Sequence, residues 1–222
     1  MAVYKNGEKT KILIYKTAKD QFFEKGYDKT TLTSISKASD TNTALISYYF
    51  KSKLDLALSV YNEYMTATKI LTNFLLEKIT PNNDLLFTTA VEIRLLTRNM
   101  QTSHELNRFL YELNNTNFYY KKNSATVGFF DNVNRRYHLG LDKNQVYAIA
   151  VTNYAINVSL NAARFNGILD CTNEFIIQTV FSHFAKLMSF DNAVIQAVLD
   201  NSQNISEKID ISVGKSFQLQ HH

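Results

Sequence analysis

Residues 31–53 read TLTSISKASDTNTALISYYFKSK, and this stretch decides how the chain is interpreted. Hydroxyl side chains crowd it, two tyrosines and a phenylalanine close its apolar part, and lysines follow. The letters SDTN interrupt the helical spacing, so Thr41 or Asn42 is placed to cap a new helix. That helix is predicted to reach Tyr49 or Phe50.

The predicted helix has two different faces. Ile46 and Phe50 share one face, with Tyr49 beside them, which indicates packing against an apolar core. The other face is small and hydroxyl-bearing and ends on an aromatic ring: it contains Ala44, Ser47 and Tyr48, with Thr43 and Leu45 at its flanks. Short side chains suit a helix that lies in the major groove of DNA. The alternative is a small helical domain whose polar face is only solvated.

Two further helices are predicted before this one. Apolar residues at i, i+4 and i+8 predict a first helix over about residues 9–25, which Gly26 ends. A second, brief helix is predicted over about residues 32–38, with Thr31 or Thr33 as its cap. Three short helices with a tight turn between the last two form a helix-turn-helix unit.

Charge is distributed unevenly along the chain. Residues 1–53 contain ten lysines and five acidic residues, a net charge of +5, whereas the remainder carries 14 basic and 15 acidic residues. A basic head on a nearly neutral body indicates a polyanionic partner for the head.

The remaining sequence predicts an all-α protein. One proline and six glycines among 222 residues are few, which favours long helices over a β-sandwich. Six or seven helical patterns follow one another over residues 54–205, which we take as a second domain after residues 1–53. Residues 206–222 are a tail or a docking strand without clear periodicity, and His221 and His222 resemble a tag remnant.

Several classes of protein are disfavoured by the sequence. Cys171 is the only cysteine, so no internal disulfide forms, and no secretory leader or membrane-length apolar run is recognised, which predicts a cytoplasmic protein. His104, His138 and His183 stand apart from one another and no glycine-rich phosphate loop occurs. We therefore expect no enzyme, no metal site and no cofactor.

Residues 12–56 resemble the DNA-binding head of tetracycline-repressor (TetR) family regulators. The match keeps order and spacing over about 45 residues. It comprises Ile14, Ala18, Phe22, Gly26, Tyr27, Thr30, Thr31, Ile35, Tyr48, Tyr49, Phe50, Ser52 and Lys53. The turn departs from the family pattern, with Asp40 where glycine is usual, Thr41 for valine and Asn42 for serine. Ser47 stands where many members carry tyrosine.

The resemblance implies a set of DNA contacts. Four residues would face bases: Thr43, Ala44, Ser47 and Tyr48. Four would hold the phosphate backbone: Thr31, Asn42, Tyr49 and Lys53. Thr41 lies with Asn42 at the helix start, where backbone amides bind phosphate. No arginine precedes Arg94, so the usual bidentate guanine contact is missing and an A·T-rich site is expected.

For the body, the resemblance implies a regulatory and dimerisation domain. Residues 143–166 and 173–190 would form a four-helix bundle with a second copy, and a small, largely apolar or aromatic inducer would enter the body. Candidate ligand-binding residues are Phe109, Tyr111, Tyr119, Phe129, Tyr147 and Tyr154. These aromatic side chains equally suit a packed core. Glu92, Arg94 and Arg98 lie in an otherwise apolar helix, which indicates either that one of them points into a cavity or that they form a salt bridge at the helix surface.

The predicted function is therefore a homodimeric, ligand-responsive transcriptional regulator, a repressor that leaves a palindromic DNA operator when it binds inducer. The alternative is a helical adaptor that binds protein partners without sequence-specific DNA binding. The sequence names neither the inducer, the operator nor the regulated genes, and it leaves activation open.

Overall fold

The computed structural model describes residues 2–81, 84–118 and 125–222. Ten α-helices and one two-stranded hairpin lie in these ranges, which confirms the all-α class, a three-helix head and seven further helices. The helices are α1 (Ala2–Lys25), α2 (Leu32–Ala38), α3 (Thr43–Phe50), α4 (Lys53–Ile79), α5 (Leu85–Thr102), α6 (His104–Asn114), α7 (Ala125–Arg136), α8 (Lys143–Phe165), α9 (Asn173–Leu187) and α10 (Asn192–Ser206).

One element differs from the sequence-based expectation, and the structure decides between the two alternatives for another. Helix α1 begins at Ala2 rather than near residue 9. The residues before residue 9 contain no proline, so a helix is possible there, but they show no apolar period by which it could be predicted. The C-terminal segment forms strands β1 (Ile211–Val213) and β2 (Leu219–His221). Strands of three residues are too short to show the alternation by which a strand is recognised.

The chain divides into two compact units. The first comprises residues up to Lys69 together with Asn99–Leu113 and Ile211–His222. The second comprises Ile70–Arg98 and Asn114–Asp210. The boundaries expected from the sequence, after residues 53 and 205, stay a prediction.

The core of the first unit is built from α1, α2, α3, the start of α4 and α6. Ile14, Ala18 and Phe22 are fully buried, as the i, i+4, i+8 spacing predicts. The apolar face of α6 is also buried in the protein, with Phe109 packed on Phe22 at a ring-centroid distance of 5.6 Å. Three helices alone bury little apolar area, and the apolar face of α6 enlarges the core that they form.

The second unit has a core of aliphatic and aromatic side chains from α5 and α7–α10. The Arg94 side chain lies within this unit and is only 5% exposed. Its Nε donates to Ser202 Oγ at 2.9 Å, one Nη donates to the Leu199 carbonyl at 2.9 Å, and the guanidinium pairs with Glu174. Arg94 thus forms a salt bridge whose guanidinium is buried, whereas its partner Glu174 remains 31% exposed.

A membrane-spanning role finds no support among the described helices. None of those in residues 2–81, 84–118 and 125–222 combines the length and apolar character needed to cross a bilayer.

Candidate nucleic-acid interface

The turn between α2 and α3 is held by its own hydroxyl groups. Thr41 N donates to the Ser36 carbonyl at 3.0 Å, Ser36 Oγ donates to the Thr41 carbonyl at 2.7 Å, and the Ser39 and Thr41 hydroxyls lie 2.7 Å apart. Asp40 adopts a left-handed backbone with φ of 46°. Aspartate tolerates this conformation better than most residues, which explains how it replaces the usual glycine.

Both helices of the motif start with side-chain caps. Thr31 and Ser34 form a capping box, in which each side chain accepts from the other residue's backbone N–H, at 3.0 and 3.1 Å. Asn42 Oδ1 accepts from Ala44 N at 2.6 Å and caps α3. These bonds fix where α3 begins, and the start of this helix is exposed.

Helix α3 presents one buried and one exposed face. Ile46 and Phe50 are buried, and Phe50 stacks on Tyr15 at 6.3 Å. Thr43, Ala44, Leu45, Ser47 and Tyr48 are exposed on the other side. Tyr48 is 78% exposed, and its ring meets that of Tyr49 edge-on at 5.1 Å. A small, hydroxyl-bearing surface ending in an aromatic ring therefore lies in contact with solvent.

Four of the predicted phosphate contacts are already engaged within the protein. Asn42 caps α3 with its side chain. Thr31 is used in its capping box, and the Thr41 hydroxyl is bonded inside the turn. Lys53 Nζ donates to the Tyr27 carbonyl at 3.0 Å and lies 4.0 Å from the centroid of the Tyr27 ring. Burial lowers the pKa of Lys53, while the carboxylates of Asp28 and Glu112 act in the opposite direction.

Helix α6 supports the end of α1, a role that sequence reasoning missed. Arg108 Nη2 donates to the Phe23 carbonyl at 2.8 Å, and Glu112 accepts from Asp28 N at 2.9 Å. Gly26 has φ of 83°, and a Cβ atom there would collide with the Glu112 carboxylate. More than 80 residues separate the partners, so no local pattern reveals them.

Helix α4 is tied to α1 by a polar cluster. Lys19 Nζ pairs with Glu63 at 2.6 Å, and the Tyr15 hydroxyl donates to the same carboxylate. Burial, followed by the hydrogen bond to Glu63, raises the pKa of Tyr15, which keeps the phenol protonated as the donor.

The six predicted ligand-binding aromatics are not gathered in one unit. Phe109 and Tyr111 belong to the first unit, while Phe129, Tyr147 and Tyr154 belong to the second. Tyr119 lies outside the described residues. Phe109 is enclosed within the first unit, where it packs between Phe22 and the C-terminal hairpin.

In the second unit, Phe129 contacts Phe130 and Phe184 edge-on. The Tyr154 hydroxyl donates to Asn114 Oδ1 at 2.7 Å, and Tyr147 is 39% exposed. Each of these rings thus has a different environment, so their shared aromatic character alone does not define a pocket.

Three polar atoms in the second unit are buried and have no hydrogen-bond partner among the described residues: Thr72 Oγ1, Asn153 Oδ1 and His183 Nε2. They lie on α4, α8 and α9. Within residues 2–81, 84–118 and 125–222, no group of three or more His, Cys, Asp or Glu residues is arranged to hold a metal ion.

The fold and the exposed face of α3 define the head as a helix-turn-helix DNA-binding domain. A sequence model of bacterial regulatory proteins of the tetR family matches residues 14–60. The head is thus a TetR-family DNA-binding domain, and the resemblance seen in the sequence is confirmed. A chain with this head is a DNA-binding transcriptional regulator, and regulators of this family are not enzymes.

Known structures show weaker similarity over the full length. A gamma-butyrolactone receptor (ArpA-like protein) is 15% identical with a TM-score of 0.46, covering 91% of this chain and 99% of that one. The TetR family protein CprB from S. coelicolor A3(2) is 15% identical with a TM-score of 0.47 and the same coverages. TylP from Streptomyces fradiae is 18% identical with a TM-score of 0.47, covering 91% and 93%. Among curated protein sequences there is no match.

Proposed function

We propose that this protein is a ligand-responsive repressor that binds a palindromic operator as a homodimer and is released by a small molecule. The observation that carries the DNA-binding part is the exposed face of α3, with Tyr48 78% exposed on a helix whose opposite face is buried. Leu45, three residues earlier on the same helix, is 40% exposed, and neighbouring exposed apolar side chains favour a binding surface more than a single one does.

The exposed face suits the major groove. We assign base contacts to Thr43, Ala44, Ser47 and Tyr48, which are all exposed. Hydroxyl groups and methyl-sized side chains contact base edges and thymine methyl groups, which favours an A·T-rich operator.

Phosphate contacts are assigned around the base-contacting face. The backbone N–H of Thr43, at the start of α3, would bind one phosphate close to Thr41 and Asn42. Thr31, Tyr49 and Lys53 complete this set. Lys53 would have to exchange its hydrogen bond to the Tyr27 carbonyl for a phosphate oxygen.

Helices α8 and α9 are proposed as the dimer interface. The more accessible face of α8 carries small or short side chains three or four residues apart: Ala148, Thr152, Ala155, Ser159, Ala162 and Asn166. The hydroxyl of Thr152 is satisfied by the Ala148 carbonyl at 2.7 Å, so this face offers close packing at little desolvation cost. Phe175 and Leu187 of α9 are exposed apolar side chains that a second copy would cover.

An inducer site is proposed inside the second unit. Thr72, Asn153 and His183 each bury a polar atom without a partner among the described residues, and such atoms destabilise a fold unless something satisfies them. Phe129 and Tyr154 contribute aromatic surface to the same unit. A small, largely apolar or aromatic ligand with a few polar groups fits this chemistry. Because an operator-binding protein acts where the DNA lies, we propose a cytoplasmic location.

Selection of bound duplexes from a random-sequence pool at two salt concentrations tests the proposal. We expect an inverted repeat, because a two-fold dimer reads two half-sites. Salt-sensitive binding without sequence preference would contradict operator recognition, and no binding at all would favour the protein-binding adaptor. Adding candidate inducers to the recovered operator complex then tests release.

A further inference from the structure

The C-terminal hairpin is folded into the same compact unit as the DNA-binding head. Strands β1 and β2 are antiparallel, with Ile211 opposite His221 and Val213 opposite Leu219. Gly214 N donates to the Gln218 carbonyl at 2.7 Å and closes the connecting turn.

The turn of the hairpin inserts one aromatic side chain into the head. Phe217 is 3% exposed. Its ring packs edge-on against Phe23 of α1 at 5.2 Å and lies tilted against Phe109 of α6 at 4.9 Å. The adjacent Ser216 hydroxyl donates to the Asp20 carboxylate of α1. The hairpin therefore contacts α1 and α6 together, at the end of α1 that leads into the helix-turn-helix motif.

From Phe217, ring contacts continue towards the DNA-binding motif. Phe109 packs on Phe22 at 5.6 Å, and Phe22 stacks on Tyr27 at 6.0 Å. The Tyr27 ring in turn contacts the ammonium group of Lys53, the first residue of α4. Close-packed rings transmit displacement because they leave little free volume.

The backbone of the turn indicates that this contact is strongly favoured. Ser216 and Phe217 both adopt left-handed conformations, with φ of 54° and 57°. Two consecutive non-glycine residues in this region are unfavourable and persist where surrounding contacts compensate. Here the compensation comes from the buried Phe217 ring and the Ser216–Asp20 hydrogen bond.

We infer that the C-terminal hairpin is a clamp that holds the end of α1 against α6, and that Phe217 is a positioning residue for DNA binding although it does not touch DNA. Without the clamp, the start of the helix-turn-helix motif would sample several orientations, and operator affinity would fall because only some of them fit the groove. This inference rests on the proposed DNA-binding function.

The test compares full-length Phe217→Ala with Gln218→Ala, which changes an exposed neighbour in the same turn. Two quantities are measured well below the unfolding temperature: affinity for the selected operator, and hydrogen exchange of the α1 amides without DNA. For Phe217→Ala we expect operator affinity to fall about tenfold and exchange at the end of α1 to accelerate about tenfold. Gln218→Ala should leave both unchanged, Phe217→Tyr should recover most of the loss, and Phe217→Leu, which keeps only part of the ring's contacts, should show an intermediate loss.

Unchanged exchange in Phe217→Ala would overturn the clamp. Faster exchange with unchanged operator affinity would overturn the positioning role and leave the hairpin a purely structural element. If the wild-type protein selects no operator, the proposed function has failed on its own, and the exchange measurement then decides the clamp separately. Should Phe217→Ala fail to fold, Phe217→Leu carries the same two measurements.

Discussion

The exposed face of α3 and the interior of the second unit differ in whether the residues proposed to bind a partner also stabilise the fold. On α3 the surface proposed to bind DNA faces solvent, so its residues contribute little to the packing of the core. In the second unit, aromatic and polar side chains fill a core, and the same residues that would bind a ligand also stabilise the fold. A surface site is therefore visible in the sequence pattern, whereas an interior site is masked by the requirements of packing.

The largest expected effect tests whether the second unit depends on the salt bridge between Arg94 and Glu174. Arg94→Ala should lower the free energy of unfolding by about 3–5 kcal/mol, since it leaves the partners of a buried guanidinium without a donor. Arg135→Ala removes a solvent-exposed pair with Asp131 and should cost no more than about 1 kcal/mol. Urea unfolding of both variants measures the difference, and equal midpoints would contradict the structural role of Arg94.

A second prediction separates backbone strain from collision in the head. Gly26→Ala should lower the free energy of unfolding by more than the roughly 1–2 kcal/mol expected for a left-handed alanine, because its methyl group also meets Glu112. Gly167→Ala is the matched control, with φ of 69° and open space around the new atom. If the two variants unfold at the same denaturant concentration, Glu112 does not restrain the turn.

Much of the fold follows from local signals. Caps, glycine positions and apolar spacing predict α2 and α3 to within about one residue, because each depends on neighbours in the chain. The supports of the head could not be predicted. Arg108, Glu112 and Phe217 act across separations of 84 to 194 residues, and in the sequence each has the appearance of an ordinary helix or tail residue.

The candidate sites follow the same division. The exposure of Tyr48 was predictable from the helical wheel, but the engagement of Lys53 with Tyr27 was not, because both a phosphate contact and a cation–π contact suit a lysine at that position. The sequence signal for the ligand candidates is their aromatic character, which does not distinguish Phe109 in the first unit from Phe129 in the second.

Lys53→Ala sharpens this distinction. If Lys53 binds phosphate in the complex, the variant should weaken operator and non-operator DNA alike, and the salt slope should fall by about one. Lys51→Ala, at an exposed neighbouring lysine, is the control. An unchanged slope in Lys53→Ala, together with lower stability, would assign Lys53 to the support of Tyr27 alone.

The smallest expected effect concerns a single hydroxyl group in the second unit. Thr72→Val replaces a buried oxygen that lacks a partner among the described residues with a methyl group of similar size. We expect the free energy of unfolding to rise by about 1 kcal/mol without ligand, and inducer to release the variant from operator less effectively. Lower stability in Thr72→Val would show that the hydroxyl group is already satisfied.

The most direct test of the central claim measures the affinity of Tyr48→Ala for the selected operator and for a scrambled duplex of the same length, both at the same salt concentration. We predict a loss of about 1–3 kcal/mol on the operator and little change on the scrambled duplex, with fold and oligomeric state retained. Unchanged discrimination between the two duplexes would contradict the assignment of α3 as the recognition helix.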